Sequence, residues 1–284
     1  MTSAKIIDGK KLAQEILDDL RNKILASSTI PVLAIILMGQ DPASTIYVNT
    51  KLKQASLLNI KTRLIQLPSS VTQDDLIAII YKLNSDENVS GIIVQLPLPF
   101  HIKFSAVIEA IDPNKDVDGF GPINVGRLHN GSNLEYFVPC TALAVIHAIE
   151  SSMPKISGKH VAVINRSALI GKPLSALLLQ KDATVTVCHS RSVNLKDITQ
   201  SADIVVCAIG KPKFFDKSYF KQGAMIIDVG ISRQEHEGRA FISGDVAFDE
   251  LLPQASFITP VPGGIGPLTV AYLLSNTCKF LQHP

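Results

Sequence analysis

The stretch from Lys159 to Ser192 limits the fold of this chain more than any other, because it alternates two apolar runs with one short loop. A β-branched run at 160–164 predicts a strand covered on both faces, and Asn165 ends that run. Pro173 suits the first turn of a helix, and leucines follow it at helical spacing. A second apolar run at 183–188 predicts the next strand. This is the pattern of a nucleotide-binding βαβ unit, in which the helix N-terminus favours a pyrophosphate.

The end of the second predicted strand carries information about the cofactor. The usual G-x-G-x-x-G pattern is absent and the loop keeps only Gly171, so the loop alone leaves cofactor binding open. An acidic residue about 20 positions past such a loop favours NAD, but this chain has Ser190 and Arg191 there. Together with Arg166 they would supply two guanidinium groups and a hydroxyl for the 2′-phosphate of NADP. The alternative interpretation is that both arginines are ordinary solvated surface residues.

Composition narrows the classes of partner. The chain has 284 residues, of which 46% are hydrophobic and 18% charged, which suits a globular protein with two domains. A net charge of +2 without a basic run argues against nucleic acid or a membrane surface as partner. The N-terminus has no apolar leader, and no apolar run approaches the roughly 18 residues of a membrane span. We therefore expect a cytoplasmic protein that binds small molecules.

The cysteines predict neither a metal site nor a disulfide framework. They are widely separated and form no metal-type pair, which is typical of reduced, buried thiols. Their positions are Cys140, Cys188, Cys207 and Cys278.

Apolar runs and helical patterns alternate along the rest of the chain, which predicts an α/β fold. A domain boundary is expected near Pro139, and the loops at 112–121 and 259–267 are rich in Gly and Pro. Thr141 is a candidate helix cap, and Thr72 with Asp75 forms a capping pattern. Predicted helices begin near residues 12, 44, 72, 141 and 268, and further strands lie at 31–37, 62–67, 91–96, 204–208, 225–229 and 257–259.

Three residues stand out as candidates for chemistry. Lys51 shares a helix face with Tyr47 at i, i+4 spacing, and a lysine desolvated there would have a lowered pKa. Gln95 ends a buried strand, and Asp118 lies in the loop at 112–121. Each has a plainer interpretation, namely an exposed lysine beside Lys53, a capped strand end and a turn former. The functional interpretation depends on their combination.

The combined motifs resemble those of the bifunctional methylenetetrahydrofolate dehydrogenase/methenyltetrahydrofolate cyclohydrolase family. The matching blocks follow one another in the family order over nearly all 284 residues. They are SxxYVNTKLK, VQLPLP, KDVDGF, PCT, RSALIGKP, CHS, DVGI and TPVPGGIGPLTVAYLL.

The resemblance implies a role for each candidate in folate chemistry. Tyr47 would stack on the pterin, and Lys51 would be the catalytic lysine that moves protons during water addition, tuned by Gln95. Asp118 would accept two parallel hydrogen bonds from the pterin. The loop with Pro262, Gly263, Gly264 and Gly266 would let the backbone approach the folate.

The resemblance also implies that NADP is the cofactor. Its binding residues would be Asn165, Arg166, Ser167, Ser190, Arg191 and Ile231. Many members of the family have glycine where this chain has Asn165. Asparagine tolerates left-handed backbone better than other residues with a side chain, so the turn can survive, but it leaves less room for close approach to the cofactor.

The fold implied by the resemblance has two domains with a cleft between them. Residues 1–138 would form an N-terminal α/β catalytic domain, to which the C-terminal helix 267–284 returns. Residues 139–266 would form a Rossmann-like, doubly wound NADP-binding domain, through which the family pairs as a homodimer. Two alternative functions are a dehydrogenase that has lost cyclohydrolase activity and a non-catalytic small-molecule-binding protein on the same fold.

Overall fold

The computed structural model describes residues 3–236 and 239–281, with the backbone alone at residues 43, 236, 239 and 240. The strands are β1 (Lys5–Ile6), β2 (Val32–Met38), β3 (Lys61–Leu67), β4 (Gly91–Val94), β5 (His160–Ile164), β6 (Thr184–Cys188), β7 (Ile204–Cys207), β8 (Met225–Asp228), β9 (Ser232–His236), β10 (Arg239–Ser243) and β11 (Phe257–Ile258). The helices are α1 (Gly9–Leu25), α2 (Pro42–Leu57), α3 (Gln73–Asn84), α4 (Phe104–Ala110), α5 (Pro122–His129), α6 (Cys140–Ser152), α7 (Gly171–Gln180), α8 (Leu195–Ser201), α9 (Phe248–Leu251) and α10 (Ile265–Thr277). A single 3₁₀ turn lies at Lys217–Tyr219. The chain divides into two compact units.

The first unit holds the predicted nucleotide-binding stretch and comprises residues 3–13 and 141–269. Its main sheet has six strands, all parallel, in the order β1-β11-β8-β7-β5-β6, and β9 and β10 form a separate antiparallel pair. The chain runs from β5 to β6 on one side and then to β7 on the other, so the winding reverses at β5. At such a point the carboxyl ends of the strands leave a crevice for a ligand. The predicted doubly wound parallel sheet is confirmed.

The N-terminal residues pack with this first unit, whereas the predicted limits grouped them with the rest of 1–138. β1 pairs with β11 through Lys5 to Phe257 and Ile6 to Ile258. Gly9 follows at the start of α1, where an added Cβ would lie 1.7 Å from the Gly264 carbonyl oxygen. Only glycine fits there, because the two backbones touch.

The second unit comprises residues 14–140 and 270–281 and contains the three-stranded parallel sheet β3-β2-β4. β2 pairs with β3 along its whole length, from Val32 with Lys61 to Met38 with Leu67. Residues 33–38 are buried throughout, as expected for the central strand of a covered parallel sheet. An isolated parallel bridge joins Ile92 to Asp116 and brings the loop at 112–121 alongside β4.

Several helices begin earlier than predicted: α1 begins at Gly9 rather than near residue 12, and α10 begins at Ile265 rather than near residue 268 and ends at Thr277. The cap at Thr72 is confirmed, since its Oγ1 accepts the Asp75 N–H at 3.1 Å. α2 begins at Pro42 rather than near residue 44, because the Asp41 carboxylate accepts the Ser44 N–H at 2.7 Å. The predicted cap at Thr141 is wrong, because α6 already begins at Cys140.

The described residues contain no disulfide, no membrane-spanning helix and no metal-binding cluster. The four cysteines are free and buried. No helix there is both long and apolar enough to cross a bilayer. Between residues 3 and 236 and between 239 and 281, no three His, Cys, Asp or Glu side chains come close enough to hold a metal ion.

Candidate active site

A lysine and a glutamine far apart in sequence meet in the second unit. The Lys51 Nζ donates a hydrogen bond of 2.9 Å to the Gln95 Oε1, and both side chains are partly buried. The Gln95 Nε2 in turn donates to the Leu96 carbonyl at 2.8 Å. This second hydrogen bond orients the amide so that its oxygen faces the lysine. Lys53 on the same helix is exposed. The surface-lysine interpretation therefore fits Lys53 and not Lys51.

The Asp118 carboxylate lies close enough to Lys51 for their charges to interact. The bridge between Ile92 and Asp116 runs parallel, so Asp118 and Gln95 both lie toward the carboxyl end of β4. Burial raises the pKa of Asp118, and the positive charge of Lys51 lowers it. Within residues 3–236 and 239–281 the carboxylate accepts no hydrogen bond, so its oxygens are available to a ligand.

Tyr47 lies one helical turn before Lys51 on α2 and keeps 39% of its surface exposed. Burial of the remainder raises the pKa of its hydroxyl, so the ring stays neutral. The helix start is tied to the same region, because the Ser44 Oγ reaches the Leu96 carbonyl at 3.4 Å. The predicted set of Tyr47, Lys51, Gln95 and Asp118 is thus gathered in one unit.

Asp116 supports this group and was not predicted to have a role. Its buried carboxylate accepts from the N–H groups of Phe120 and Gly121 at 3.2 and 2.7 Å and from the Asn124 Nδ2 at 2.9 Å. Burial raises the pKa of Asp116 to about 6, although these donors lower it. These hydrogen bonds connect the Asp116 carboxylate to the residues that follow Asp118 in the loop. The D-V-D sequence at 116–118 points to this loop, but it does not indicate which aspartate faces a ligand and which holds the backbone.

Asn276 on α10 also holds this loop, and sequence reasoning missed it. Its Nδ2 donates to the Val117 and Val138 carbonyls at 2.8 and 3.3 Å and lies 3.5 Å from the Cys140 sulfur. Val117 is separated from Asn276 by 159 positions. Helical spacing on α10 contains no signal for such a contact.

Replacing Asn276 with leucine, which has a similar size, should destabilise the protein by about 1–3 kcal/mol. The substitution would leave the buried Val117 carbonyl without its best donor. Urea unfolding measures the loss. The matched control is Thr277→Val, because the one hydrogen bond that the Thr277 hydroxyl donates within residues 3–236 and 239–281 goes to the Leu273 carbonyl of its own helix, at 2.8 Å. Equal stability changes in the two variants would contradict this role of Asn276.

In the first unit, Asn165 organises the loop after β5. Its Oδ1 accepts the N–H groups of Ser167 and Gly171 at 2.8 and 3.1 Å, and its Nδ2 donates to the Ala208 carbonyl at 2.6 Å. An added Cβ on Gly171 would lie 2.0 Å from the Asn165 carbonyl oxygen, so the start of α7 packs directly against the backbone of the loop. Asn165 is not among the residues with positive φ. The left-handed turn considered from the sequence is therefore not needed.

The polar residues after β6 lie at the same carboxyl edge, because Ile164 pairs with Cys188. Ser190 and Arg191 are exposed, and a turn closed by the His189 N–H to the Ser192 Oγ at 2.9 Å holds them. Arg166 in the loop after β5 is exposed as well. Neither guanidinium forms an ion pair with an acidic residue of the described chain.

Two further predicted segments meet in the first unit. Ile231 follows β8 with 44% of its surface exposed, and its Cδ1 lies 3.9 Å from a Cβ built on Gly266. Gly263 has a φ of 110°, which strongly favours glycine. Gly264 has no room for a side chain, since its Cβ would lie 2.6 Å from the Pro260 carbonyl oxygen. Pro262 precedes them through a cis peptide bond and is exposed.

The second unit also contains a cavity of about 1030 Å³, which is separate from the group formed by Tyr47, Lys51, Gln95 and Asp118. Val32 and Lys61, the first residues of β2 and β3, line it, so it opens at the amino ends of the strands. None of the predicted site residues contributes to its walls. Parallel α/β sheets bind ligands at the opposite ends of their strands, so size alone does not make this cavity the active site.

Comparison with known families covers most of the chain. Residues 7–118 match the tetrahydrofolate dehydrogenase/cyclohydrolase catalytic domain, and residues 139–283 match the NAD(P)-binding domain of the same name. The bifunctional protein FolD of Rickettsia bellii is 52% identical over 278 residues, which is 96% of this chain and 97% of that protein.

Solved structures agree with the sequence relatives. The FolD methylenetetrahydrofolate dehydrogenase/cyclohydrolase of Campylobacter jejuni superposes with a TM-score of 0.93 at 41% identity and covers 98% of both chains. The Trypanosoma brucei enzyme, complexed with NADP cofactor and inhibitor, gives a TM-score of 0.93 at 38% identity, covering 98% of this chain and 97% of its own. The chain belongs to the tetrahydrofolate dehydrogenase/cyclohydrolase family.

Proposed function

We propose that the chain is a bifunctional enzyme of folate one-carbon metabolism. It oxidises 5,10-methylenetetrahydrofolate to 5,10-methenyltetrahydrofolate with NADP and hydrolyses the product to 10-formyltetrahydrofolate. The observation that carries the proposal is the 2.9 Å hydrogen bond from the Lys51 Nζ to the Gln95 Oε1, close to the unbonded carboxylate of Asp118. Membership of the family supports the same assignment.

In the hydrolysis, Lys51 moves protons. Water adds to the methenyl carbon and a carbon–nitrogen bond of the ring then breaks, so a proton must leave the water and another must reach the nitrogen. The Lys51 ammonium group uses one N–H on Gln95 and keeps two further donors, and once it has given up a proton the neutral amine can accept one. Gln95 accepts from the lysine and keeps its Nζ in one place, because the amide is itself held through the Leu96 carbonyl.

Asp118 and Tyr47 bind the substrate in this proposal. A carboxylate with both oxygens available can accept two parallel hydrogen bonds from adjacent N–H groups of a pterin. The flat, partly exposed Tyr47 ring offers a stacking surface one turn from Lys51. The backbone of Gly263, Gly264 and Gly266 approaches the folate.

The residues at the carboxyl edge of the six-stranded sheet fit a dinucleotide. The α7 N-terminus lies directly behind the loop that Asn165 organises, which is the arrangement that favours a pyrophosphate. Ser167, Ser190, Arg191 and Ile231 complete the proposed contacts. When bound, NADP accepts the hydride of the dehydrogenase reaction, and the protein's part is to bind and orient the two reactants. In this proposal the first unit, residues 3–13 and 141–269, holds the cofactor, and Lys51, Gln95 and Asp118 of the second unit, residues 14–140 and 270–281, act on the folate.

A spectrophotometric assay run in two ways tests the proposal. NADPH should form from methylenetetrahydrofolate, and methenyl absorbance should decay in the absence of any nucleotide. NADPH formation without nucleotide-independent decay would identify a monofunctional dehydrogenase. If neither signal exceeded the uncatalysed rate, the chain would be a binding protein and the proposal would be wrong.

The Arg191→Ala variant should bind NADP more weakly by about 1.5–3 kcal/mol, with little change for NAD. The reason is the loss of one charge-assisted contact to the 2′-phosphate, a group that NAD lacks. Isothermal titration calorimetry with both nucleotides measures the two affinities. Because NAD serves as the internal control, equal losses for both would place Arg191 away from the 2′-phosphate.

We further propose that the protein acts as a homodimer in the cytoplasm. Members of the family that the sequence resembles pair through their nucleotide domains, and four free, buried thiols suit a reducing compartment. Light scattering should give twice the chain mass of 30.7 kDa, and cell fractionation should recover the protein with soluble markers. A single-chain mass at micromolar concentration would exclude a stable dimer.

A further inference from the structure

Asp245 lies at the centre of a hydrogen-bond network in the first unit. Its side chain is fully buried, with an exposure of 0%. One carboxylate oxygen accepts the N–H groups of Ile209 and Gly210 at 2.6 and 3.2 Å, and the other accepts that of Lys211 at 2.7 Å. These three residues form the loop that follows β7. One carboxylate thus sets the course of that whole loop.

Asp228, the last residue of β8, continues the network. Its carboxylate accepts the N–H groups of Gly230, Asp245 and Val246 at 2.9, 3.0 and 3.0 Å. Its own N–H donates to the Thr259 Oγ1 of the next strand end at 2.7 Å. Burial, together with the charge of Asp245, raises the pKa of Asp228 to about 7, although the three backbone donors lower it.

Two glycines show how tightly the carboxylates are enclosed. A Cβ on Gly230 would lie 2.2 Å from the Asp245 Cγ, and a Cβ on Gly244 would lie 1.9 Å from the Asp228 Oδ2. No larger residue fits at either position without moving a carboxylate. The backbone is therefore built closely around both acids.

The network reaches the proposed cofactor loop through Asn165. Ala208 lies between β7 and the loop that Asp245 holds, and its carbonyl accepts the Asn165 Nδ2 at 2.6 Å. The Asn165 Oδ1 then accepts the N–H groups of Ser167 and Gly171 at the start of α7. Hydrogen bonds thus link the ends of β11, β8, β7 and β5 in that order. The last link lies at the winding reversal, where nucleotides bind in such sheets.

The free-energy cost of burying two carboxylates argues against stability as the sole role of this network. Each carboxylate accepts three backbone N–H groups, but removing a carboxylate from water still costs several kcal/mol, and neither acid pairs with a cation in the described part of the chain. We infer that Asp245 and Asp228 are positioning residues that hold the loops after β5, β7 and β8 in the arrangement that binds NADP. The inference rests on the proposed dehydrogenase function.

The decisive variant is Asp245→Asn in the full-length protein. An amide has one oxygen and cannot accept all three N–H groups, so the loop after β7 should shift and NADP affinity should fall about tenfold. We expect a higher KM for NADP with a smaller change in kcat at saturation. Hydrolysis of methenyltetrahydrofolate without nucleotide should stay within about twofold of the wild-type rate, because a loop displacement confined to the nucleotide site leaves Lys51 and Asp118 in place.

Asp203→Asn is the matched control at the other end of the sheet. Asp203 accepts the His160 N–H at 3.0 Å just before β7 and pairs with the Lys221 Nζ at 2.6 Å. Its loss should lower the melting temperature without changing the NADP dissociation constant. A purely structural role for Asp245 would make the two variants behave alike.

Asp228→Asn provides a second variant if Asp245→Asn does not fold. An amide has the size and shape of the carboxyl group, and the burial that raises the pKa of Asp228 favours a neutral group at this position. We expect it to fold and to weaken NADP binding in the same direction but by less. If wild-type protein fails to bind NADP, the proposed function is wrong. If wild-type binds and both variants bind as tightly, the inference alone is overturned.

Discussion

Substituting Lys51 with methionine should lower the cyclohydrolase rate by about 10² to 10⁴-fold, the usual contribution of a positioned acid–base group. Methionine keeps the apolar stem but has no proton to give or accept. The Gln95 Oε1, now 2.9 Å from a lysine Nζ, would face a thioether. Dehydrogenase activity should fall much less, because hydride transfer needs no protein acid or base. Both assays on one preparation measure the ratio of the two losses.

Lys53→Met is the matched control for this experiment, because Lys53 is exposed on the same helix. It should leave both rates unchanged. Gln95→Ala should reduce hydrolysis as well, and the double variant should be little worse than Lys51→Met alone, since the two side chains act as one unit. A Lys51→Met protein that hydrolyses methenyltetrahydrofolate at the wild-type rate would remove Lys51 from the mechanism.

Asp118→Asn should depress both activities together by about 10- to 100-fold. The amide offers one oxygen where the proposal needs two acceptors side by side, which costs about 1.5–3 kcal/mol of substrate binding. NADP affinity should stay the same, since no proposed cofactor contact involves Asp118. Both activities at several folate concentrations, with calorimetry for the nucleotide, separate these effects.

The control is Asp112→Asn in the same loop. Asp112 accepts the Asn114 N–H at 2.8 Å and forms a turn, a task that an amide also performs. Its activities should stay close to those of the wild type. If Asp118→Asn lost one activity and kept the other, the shared substrate site proposed here would be incorrect.

Residue patterns predicted the candidate site residues better than the residues that hold them in place. Apolar periodicity placed Lys51 on a helix and Gln95 at a strand end, because those positions follow from local spacing. The hydrogen bond between them depends on β4 lying beside β2, which no local pattern encodes. Asn276 and Asp245 form hydrogen bonds to residues that are distant in sequence. The residues next to them in the chain do not indicate these contacts.

Several elements were missed for a related reason. α4 and α5 have 7 and 8 residues, too few to show a clear helical period. The region between the loop at 112–121 and Pro139, where no helix was predicted, contains α5. The strands β9 and β10 pair only with each other and carry polar residues, so they lack the apolar runs that identified the central strands. The long buried strands were the most predictable part.

The pairing of β1 with β11 sets an order of assembly during synthesis. β1 emerges from the ribosome first, yet its partner residues Phe257 and Ile258 emerge some 250 residues later. The edge of the six-stranded sheet therefore stays open while nearly the whole chain is made, and it closes only after translation has passed β11. Contacts of such sequence separation form slowly, because a long loop must close before they stabilise anything. A chaperone that shields an unpaired strand would have its longest opportunity at β1, which waits for β11 through nearly the whole of translation.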